Sequence, residues 1–255
     1  SSLFALVTLK LIIERLLYAW WVKKRHKMET IENLLSKAFT NYLEESNEVY
    51  KESFELIKEY SQGRRWLMGS YLYGNFIKFV YGKELNLTKQ FYRDVDFLVE
   101  NVKKEINKES ISHKFKDWDV RPTSYGSFSF AKSGRSVDLN YLFNFYPITL
   151  WKRSPNISIG DILESAPLTI QSMVYSCDDK KILGKTGISS IENKLIKINN
   201  KGNAKLGTEL KLKEKNRDNK EYIITSEEIL KEINKEIKDK AKEIGFEYEL
   251  LKNLD

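Results

Sequence analysis

Two carboxylates on one short apolar stretch constrain this chain more than any other feature. Phe91-Tyr-Arg-Asp-Val-Asp-Phe-Leu-Val99 has the aromatic and β-branched content of a β-strand, with Asp94 and Asp96 at spacing i, i+2. Side chains alternate faces along a strand, so both carboxylates leave one face, roughly 6.5–7 Å apart along the backbone, while Val95 and Phe97 point into a core. Aspartate is depleted from strands, and neighbouring like charges repel. Two readings stand at this point. The pair is either a divalent cation site, whose oxygen ligands suit Mg²⁺ or Mn²⁺ better than Zn²⁺, or a charged pair on the wet face of an edge strand.

Composition narrows the chemistry. The 255 residues carry a net charge of +7, and 41% of them are hydrophobic. That is enough for one large or two modest globular cores, with a lean towards polyanionic partners. One cysteine, Cys177, and two histidines, His26 and His113, exclude an internal disulfide framework, a classical zinc site and a Cys–His nucleophile pair. The same usage fits a reducing, cytoplasmic compartment. Any chemistry must run on Asp, Glu, Lys, Arg, Ser and backbone groups.

Residues 1–27 form an apolar and basic extension. Leu3 to Val22 is apolar but holds Lys10, Glu14 and Arg15, and Lys23-Lys-Arg-His-Lys27 follows. A charge at the centre of a membrane helix costs about 2.5–3.5 kcal/mol. A membrane anchor is therefore the least favoured reading, behind an accessory or non-native extension and a packed helix. Met28 has the look of an ordinary start, and no small-residue cleavage site supports a secretory signal.

Residues 28–62 read as helical. Ile31, Leu34, Leu35, Ala38, Phe39, Tyr42 and Leu43 recur at helical spacing, and Tyr50, Phe54, Leu56 and Ile57 continue the style. Trp66-Leu67-Met68 then reads as a buried strand, Gly69-Ser70 as a turn, and Tyr71 to Val80 as a helix. Strand, Gly-Ser turn and helix together offer a hydroxyl and free backbone N–H groups to a phosphate. A polar connector, Tyr81 to Gln90, leads into the Asp94 strand.

Beyond it, Asn101 to Asn107 reads as a short helix, and Lys114–Val120, Ser124–Phe130 and Arg135–Phe143 as strands. Ala131-Lys-Ser-Gly134 is the hairpin turn between the last two. Asp138 lies between apolar neighbours on the last strand, where it can pair beside Asp94 and Asp96. Three carboxylates converging on one sheet edge favour the metal reading.

The order Gly69-Ser70, helix, Asp94-Val-Asp96, then Val137-Asp138-Leu139 resembles the polymerase-β-like nucleotidyltransferase superfamily. Ala166-Pro-Leu-Thr-Ile-Gln-Ser-Met-Val-Tyr175 and Gly187-Ile-Ser-Ser-Ile-Glu-Asn-Lys-Leu-Ile-Lys197, the second resembling a helix of that pattern, narrow the likeness to the head domain of poly(A) polymerases and CCA-adding enzymes. The resemblance spans roughly Trp66 to Ile198. It departs from the pattern in a longer interval before Asp94, in Ser165-Ala-Pro-Leu replacing an Arg-Arg-Asp lead-in, and in Gln171 where Asn is usual.

The resemblance implies an α+β fold: a mixed-sheet head over residues 63–200, with an N-terminal helical segment and a C-terminal region, 201–255. It implies two Mg²⁺ ions (or Mn²⁺), about 3.5–4 Å apart, held by Asp94, Asp96 and Asp138. It also implies an NTP substrate whose triphosphate lies on Gly69 and Ser70. Arg64 and Arg65 are candidate phosphate contacts, and Thr169 and Gln171 candidates for the nucleotide pocket. Arg93 is expected to point to the opposite face. The implied activity is transfer of a nucleoside monophosphate, with an RNA 3′ end as favoured acceptor. A toxin- or resistance-type enzyme modifying a protein or small molecule, and a non-catalytic nucleotide- or RNA-binding relative, stay open. So do the NTP used and the oligomeric state.

Asn199 to Lys220 reads as a flexible, Lys-rich loop or hairpin. Thr225-Ser-Glu-Glu228 reads as a helix start with a capping box, Ile229, Ile233, Ile237, Ala241 and Ile244 as one apolar stripe, and Gly245 as its C-terminal cap. Too few residues follow the head-like region for the full helical neck, body and tail of a CCA-adding enzyme.

Overall fold

In the computed structural model the described residues are 32–82, 93–103, 106, 113–123, 127–144, 157–217 and 222–254. The N-terminal extension and most of the connector before Asp94 lie outside them.

A helix over residues 32–46 (α1) breaks at Asn47, whose side chain accepts a hydrogen bond from the Tyr50 N–H and so caps α2 (Glu48–Tyr60). The α1 stripe is shifted from its expected position. Phe39 and Leu43 are buried, but Leu34 is 62% exposed, and Ser36 and Thr40 take buried places instead. Thr40 fits there because its hydroxyl donates to the Ser36 carbonyl at 2.8 Å and lies 3.0 Å from the Tyr175 hydroxyl.

The sheet begins at β1 (Ser61–Met68), which runs straight into α3 (Gly69–Tyr81). It continues through β2 (Asp94–Val102), β3 (Asp119–Pro122), β4 (Phe128–Lys132) and β5 (Arg135–Tyr141). After α4 (Ile159–Ser165) come β6 (Val174–Ser176) and β7 (Lys181–Leu183). The strand order is β3-β4-β5-β2-β1-β6-β7, with β2 and β5 parallel and every other pair antiparallel. The α+β reading with a mixed sheet holds. The β4–β5 hairpin turns on Ser133 and Gly134, both at positive φ, the backbone that a two-residue hairpin loop with native twist requires.

Alternation sorts the strands into two faces. Leu67, Val95, Phe97, Val99, Val137, Leu139 and Tyr175 are buried in one cluster with Phe39, Leu56, Leu72 and Phe76 from the first three helices. Trp66, Leu98 and Val174 point the other way, into a smaller cluster with Leu142, Ile157 and Ile162. Burying one such side chain stabilises the fold by about 1.5–3 kcal/mol.

Three local expectations are corrected. Asn101 and Val102 extend β2 rather than starting a helix; the remainder of that segment lies largely outside the described residues. His113–Phe115 is a single 3₁₀ turn, and the strand begins only at Asp119. Leu195–Ile196 (β8) is a strand rather than the end of a helix, which as α5 covers Lys185–Glu192.

The largest correction is the Lys-rich stretch after Asn199. It is helical, α6 (Lys201–Lys215), with the Asn200 side chain accepting from the Asn203 N–H as N-cap. Gly202 and Gly207 lower its intrinsic propensity. Packing of Ala204, Thr208 and Leu212 outweighs that cost. The final helix, α7 (Ser226–Ile244), matches its expected stripe, N-cap and left-handed Gly245. A short β9 (Glu247–Tyr248) pairs parallel with β8. Among the described residues, no helix is long and apolar enough to cross a membrane.

Candidate active site on the polar face of the sheet

Strand register brings the acidic residues together. Met68 on β1, Asp96 on β2, Asp138 on β5 and Ser129 on β4 lie in one cross-strand row. The adjacent row places Asp94 opposite Ser136, whose hydroxyl donates to Asp94 Oδ1 at 2.6 Å. In a parallel pair in register, partnered residues share a face, so Asp94, Asp96 and Asp138 project from the same side of the sheet.

Gly69 closes the site from the β1 side. Its φ is +75°, and a β-carbon there would run into Asp96 Oδ2, so both backbone and space demand glycine. Gly69 and Ser70 open α3, where Met68 is an extended N-cap that makes no side-chain capping bond. The first-turn N–H groups of α3 thus start beside the Asp96 carboxylate. A positive helix terminus next to a negative cluster suits an anion and a cation bound side by side.

The electrostatics record the crowding. Burial pushes the Asp96 pKa up to about 7, with the charges of Asp138 and Asp94 adding to the rise. Asp138 is also raised, first by burial and then by Asp94, while the Ser129 hydroxyl draws it back. Asp138 Oδ1 is buried and has no hydrogen-bond partner. Such a group costs folding free energy unless something else satisfies it.

Among the described residues, no three Asp, Glu, His or Cys groups form a ready-made metal cage. The donor set nevertheless suits a hard divalent cation. All three groups offer carboxylate oxygen, Asp138 Oδ1 lacks a partner, and burial together with the like charges of Asp138 and Asp94 raises Asp96.

The other candidates divide. Arg64 and Arg65 lie towards the far end of β1 from Gly69. The Arg64 Nε donates to Glu100 Oε1 at 2.7 Å, and the Arg65 Nη1 to Asp178 Oδ1 at 2.6 Å. Thr169 is buried, its hydroxyl 3.0 Å from that of Ser190 and accepting from the Lys197 N–H. None of these three comes to the carboxylates. Arg93 is exposed in the turn before β2. Gln171 lines a cavity of about 450 Å³ that begins at Met68 and Gly69 and is walled mainly by apolar side chains, with Asn140 and Asn203 among its polar groups.

Ser136 and Asn140 flank Asp138 at i−2 and i+2, so strand alternation alone places them on its face. Ser129 needed the register of β4, and Asn203 needed α6, which its local sequence disguises.

No protein-family model matches the chain, and no curated protein matches it. Solved structures similar to it include a tRNA nucleotidyltransferase complexed with a primer tRNA and an incoming ATP analog. That likeness has 17% identity, covers 62% of this chain and 45% of that one, and has a TM-score of 0.37. A CCA-adding enzyme with CTP has 13% identity, covering 80% and 46%, at a TM-score of 0.44. The Thermotoga maritima CCA-adding enzyme complexed with tRNA has 15% identity, covering 79% and 45%, at 0.43. The chain spans less than half the length of each of these proteins.

Proposed function

We propose that this chain is a metal-dependent nucleotidyltransferase that moves a nucleoside monophosphate from an NTP to an acceptor hydroxyl, with an RNA 3′ end as the acceptor. One observation carries the reading: the Gly69 turn abuts the Asp96 carboxylate, in the same cross-strand row as Asp138. Phosphate-suited backbone and oxygen ligands for a cation lie against each other, as phosphoryl chemistry needs. The net charge of +7 supports a polyanionic acceptor.

In this reading Asp94, Asp96 and Asp138 hold Mg²⁺ or Mn²⁺. The bound ions supply charge neutralisation at the transferring phosphate and a more acidic attacking hydroxyl. The N–H groups of Gly69 and Ser70, with the Ser70 hydroxyl, donate to the triphosphate and fix it beside Asp96. Ser136 holds Asp94 through its 2.6 Å hydrogen bond. Asp138 Oδ1, which has no other partner, receives the proton of the attacking hydroxyl. The cavity beyond Gly69 takes the base.

The test supplies purified protein with Mg²⁺, each labelled NTP in turn, and total RNA. Label is expected in RNA. Loss by about 10²–10³-fold is expected for Asp94→Asn or Asp96→Asn, the scale of removing a preorganised electrostatic group. Label in protein or in a small product instead would replace RNA as the acceptor. Consumption of no NTP, with Asp94→Asn and Asp96→Asn silent in cells, would end the catalytic reading.

A further inference from the structure

The row of cross-strand partners that holds the carboxylates runs on past Asp138 to the edge of the sheet. Asp96 pairs with Asp138, Asp138 with Ser129 on β4, and Ser129 with Arg121 on β3. Directly opposed residues share a face, so Arg121 projects from the side that carries Asp96 and Asp138. The alternate row agrees: Val120, Phe130 and Val137 pair in line and pack with the helices on the other face. About 9–10 Å of backbone, two strand spacings, separates Arg121 from Asp138. β4 presents only Ser129 and Ala131 to the space between, and both are small and partly exposed.

The backbone of Arg121 is fixed while its charge is left unspent. Pro122 follows it, and a residue before proline is confined to extended backbone, which holds Arg121 to this face. Arg64, Arg65 and Arg135 are each paired with a carboxylate, from Glu100, Asp178 and Glu52. Arg121 is exposed, and among the described residues no carboxylate pairs with it.

The chemistry gives the two ends of the row different roles. Displacement at phosphorus sets the attacking and leaving oxygens in line, on opposite sides of the transferred group. Gly69 and Ser70 take the triphosphate at the β1 end, so the acceptor hydroxyl approaches Asp138 from the side of β4 and β3. We infer that Arg121 binds a phosphate of the acceptor, the one that links its terminal nucleoside to the rest of its chain, and so aims the terminal hydroxyl at Asp138. A guanidinium grips phosphate through two parallel N–H bonds, which fixes direction as well as position. Arg121 thus belongs to the acceptor and has no part in holding the NTP.

The inference rests on the nucleotidyl-transfer reading and adds to it the place where the acceptor is gripped. The probe is a short single-stranded RNA of random sequence with a free 3′ hydroxyl, made also with a neutral methylphosphonate as its last linkage. Transfer of label is followed with the full chain, Mg²⁺ and all four NTPs. Arg121→Gln is expected to raise KM for the RNA about tenfold, the loss of one charge-assisted contact, and to leave KM for NTP unchanged. The methylphosphonate RNA is expected to cost the unsubstituted protein the same factor and the Arg121→Gln protein nothing further, because both changes remove one contact. A residue that only steadied the edge strand would make the two losses add. Additive losses, an unchanged KM for RNA in Arg121→Gln, or a raised KM for NTP instead would overturn the role of Arg121 and leave nucleotidyl transfer standing. NTP consumed with this RNA unlabelled would overturn it together with the RNA acceptor. Consumption of no NTP would overturn the transfer reading as well.

Discussion

Residues 94–99 on β2 show two kinds of design one atom layer apart. Val95, Phe97 and Val99 are fully buried against the first three helices. Asp94 and Asp96, alternating with them, face the other side, where burial and like charge lift Asp96 to about 7. The apolar side chains lower the free energy of folding, and the crowded carboxylates raise it. A strand that only had to fold would not put the second set there, so the cost points to chemistry.

Substitutions on the two faces should therefore have opposite signs. Phe97→Ala is expected to cost about 3–5 kcal/mol in urea unfolding, the scale for emptying a buried aromatic site. Gly69→Ala comes next, at about 1–3 kcal/mol, because the left-handed backbone and the close Asp96 oxygen both resist a methyl group. It should also weaken NTP binding, which a loss of stability alone would not do in the folded fraction. Asp96→Asn is expected to go the other way. In chelator at neutral pH it should raise the thermal midpoint by about 2–4 °C, because it removes one of three repelling charges, while transfer measured with Mg²⁺ falls by about 10²–10³-fold. A lowered midpoint would break the contrast between the faces.

The smallest effect belongs to the far end of β2, away from both faces' specialised residues. Glu100 accepts from the Arg64 backbone N–H and Nε, which holds its carboxyl below the usual range. A carboxyl lowered in the fold adds stability above its ordinary pKa, and that contribution is lost as pH falls through the folded value. Glu100→Gln should thus cost about 0.2–1 kcal/mol at pH 7, since the Arg64 end of the pair is exposed to solvent, and nothing once both proteins are measured well below pH 4. A cost that persists in acid would assign the effect to packing.

The site was legible to the extent that it obeys strand alternation. Asp94 and Asp96 declared a shared face by spacing, and Asp138 sat where a neighbouring strand could present it. Gly69 was visible as a turn, but its contact with Asp96 was not, since that depends on β1 and β2 pairing Met68 with Asp96. Arg64 and Arg65 had the right charge and order for phosphate, yet Glu100 and Asp178 engage them. The partner of a flexible cation is set by whichever anion the fold brings within reach.

α6 marks the other boundary. Two glycines and a run of lysines give residues 199–220 the local preferences of a loop, and no periodic stripe contradicts them. Helix formation there depends, beyond the local Asn200 cap, on the hydrogen bonds of Asn200 and Asn203 to the Glu164 and Ser165 carbonyls of α4 and on packing beside α7, both of which involve distant residues. Local sequence alone determined the strand carrying the two carboxylates, the Gly-Ser break and the amphipathic α7, because each is a short-range pattern of period two or 3.6. Only tertiary structure decided that Asp138 joins Asp94 and Asp96 in register, that Gly69 abuts Asp96, and that Asn203 on α6 meets the Ser165 carbonyl at the end of α4. Those are pairings between segments, and no local preference encodes a pairing.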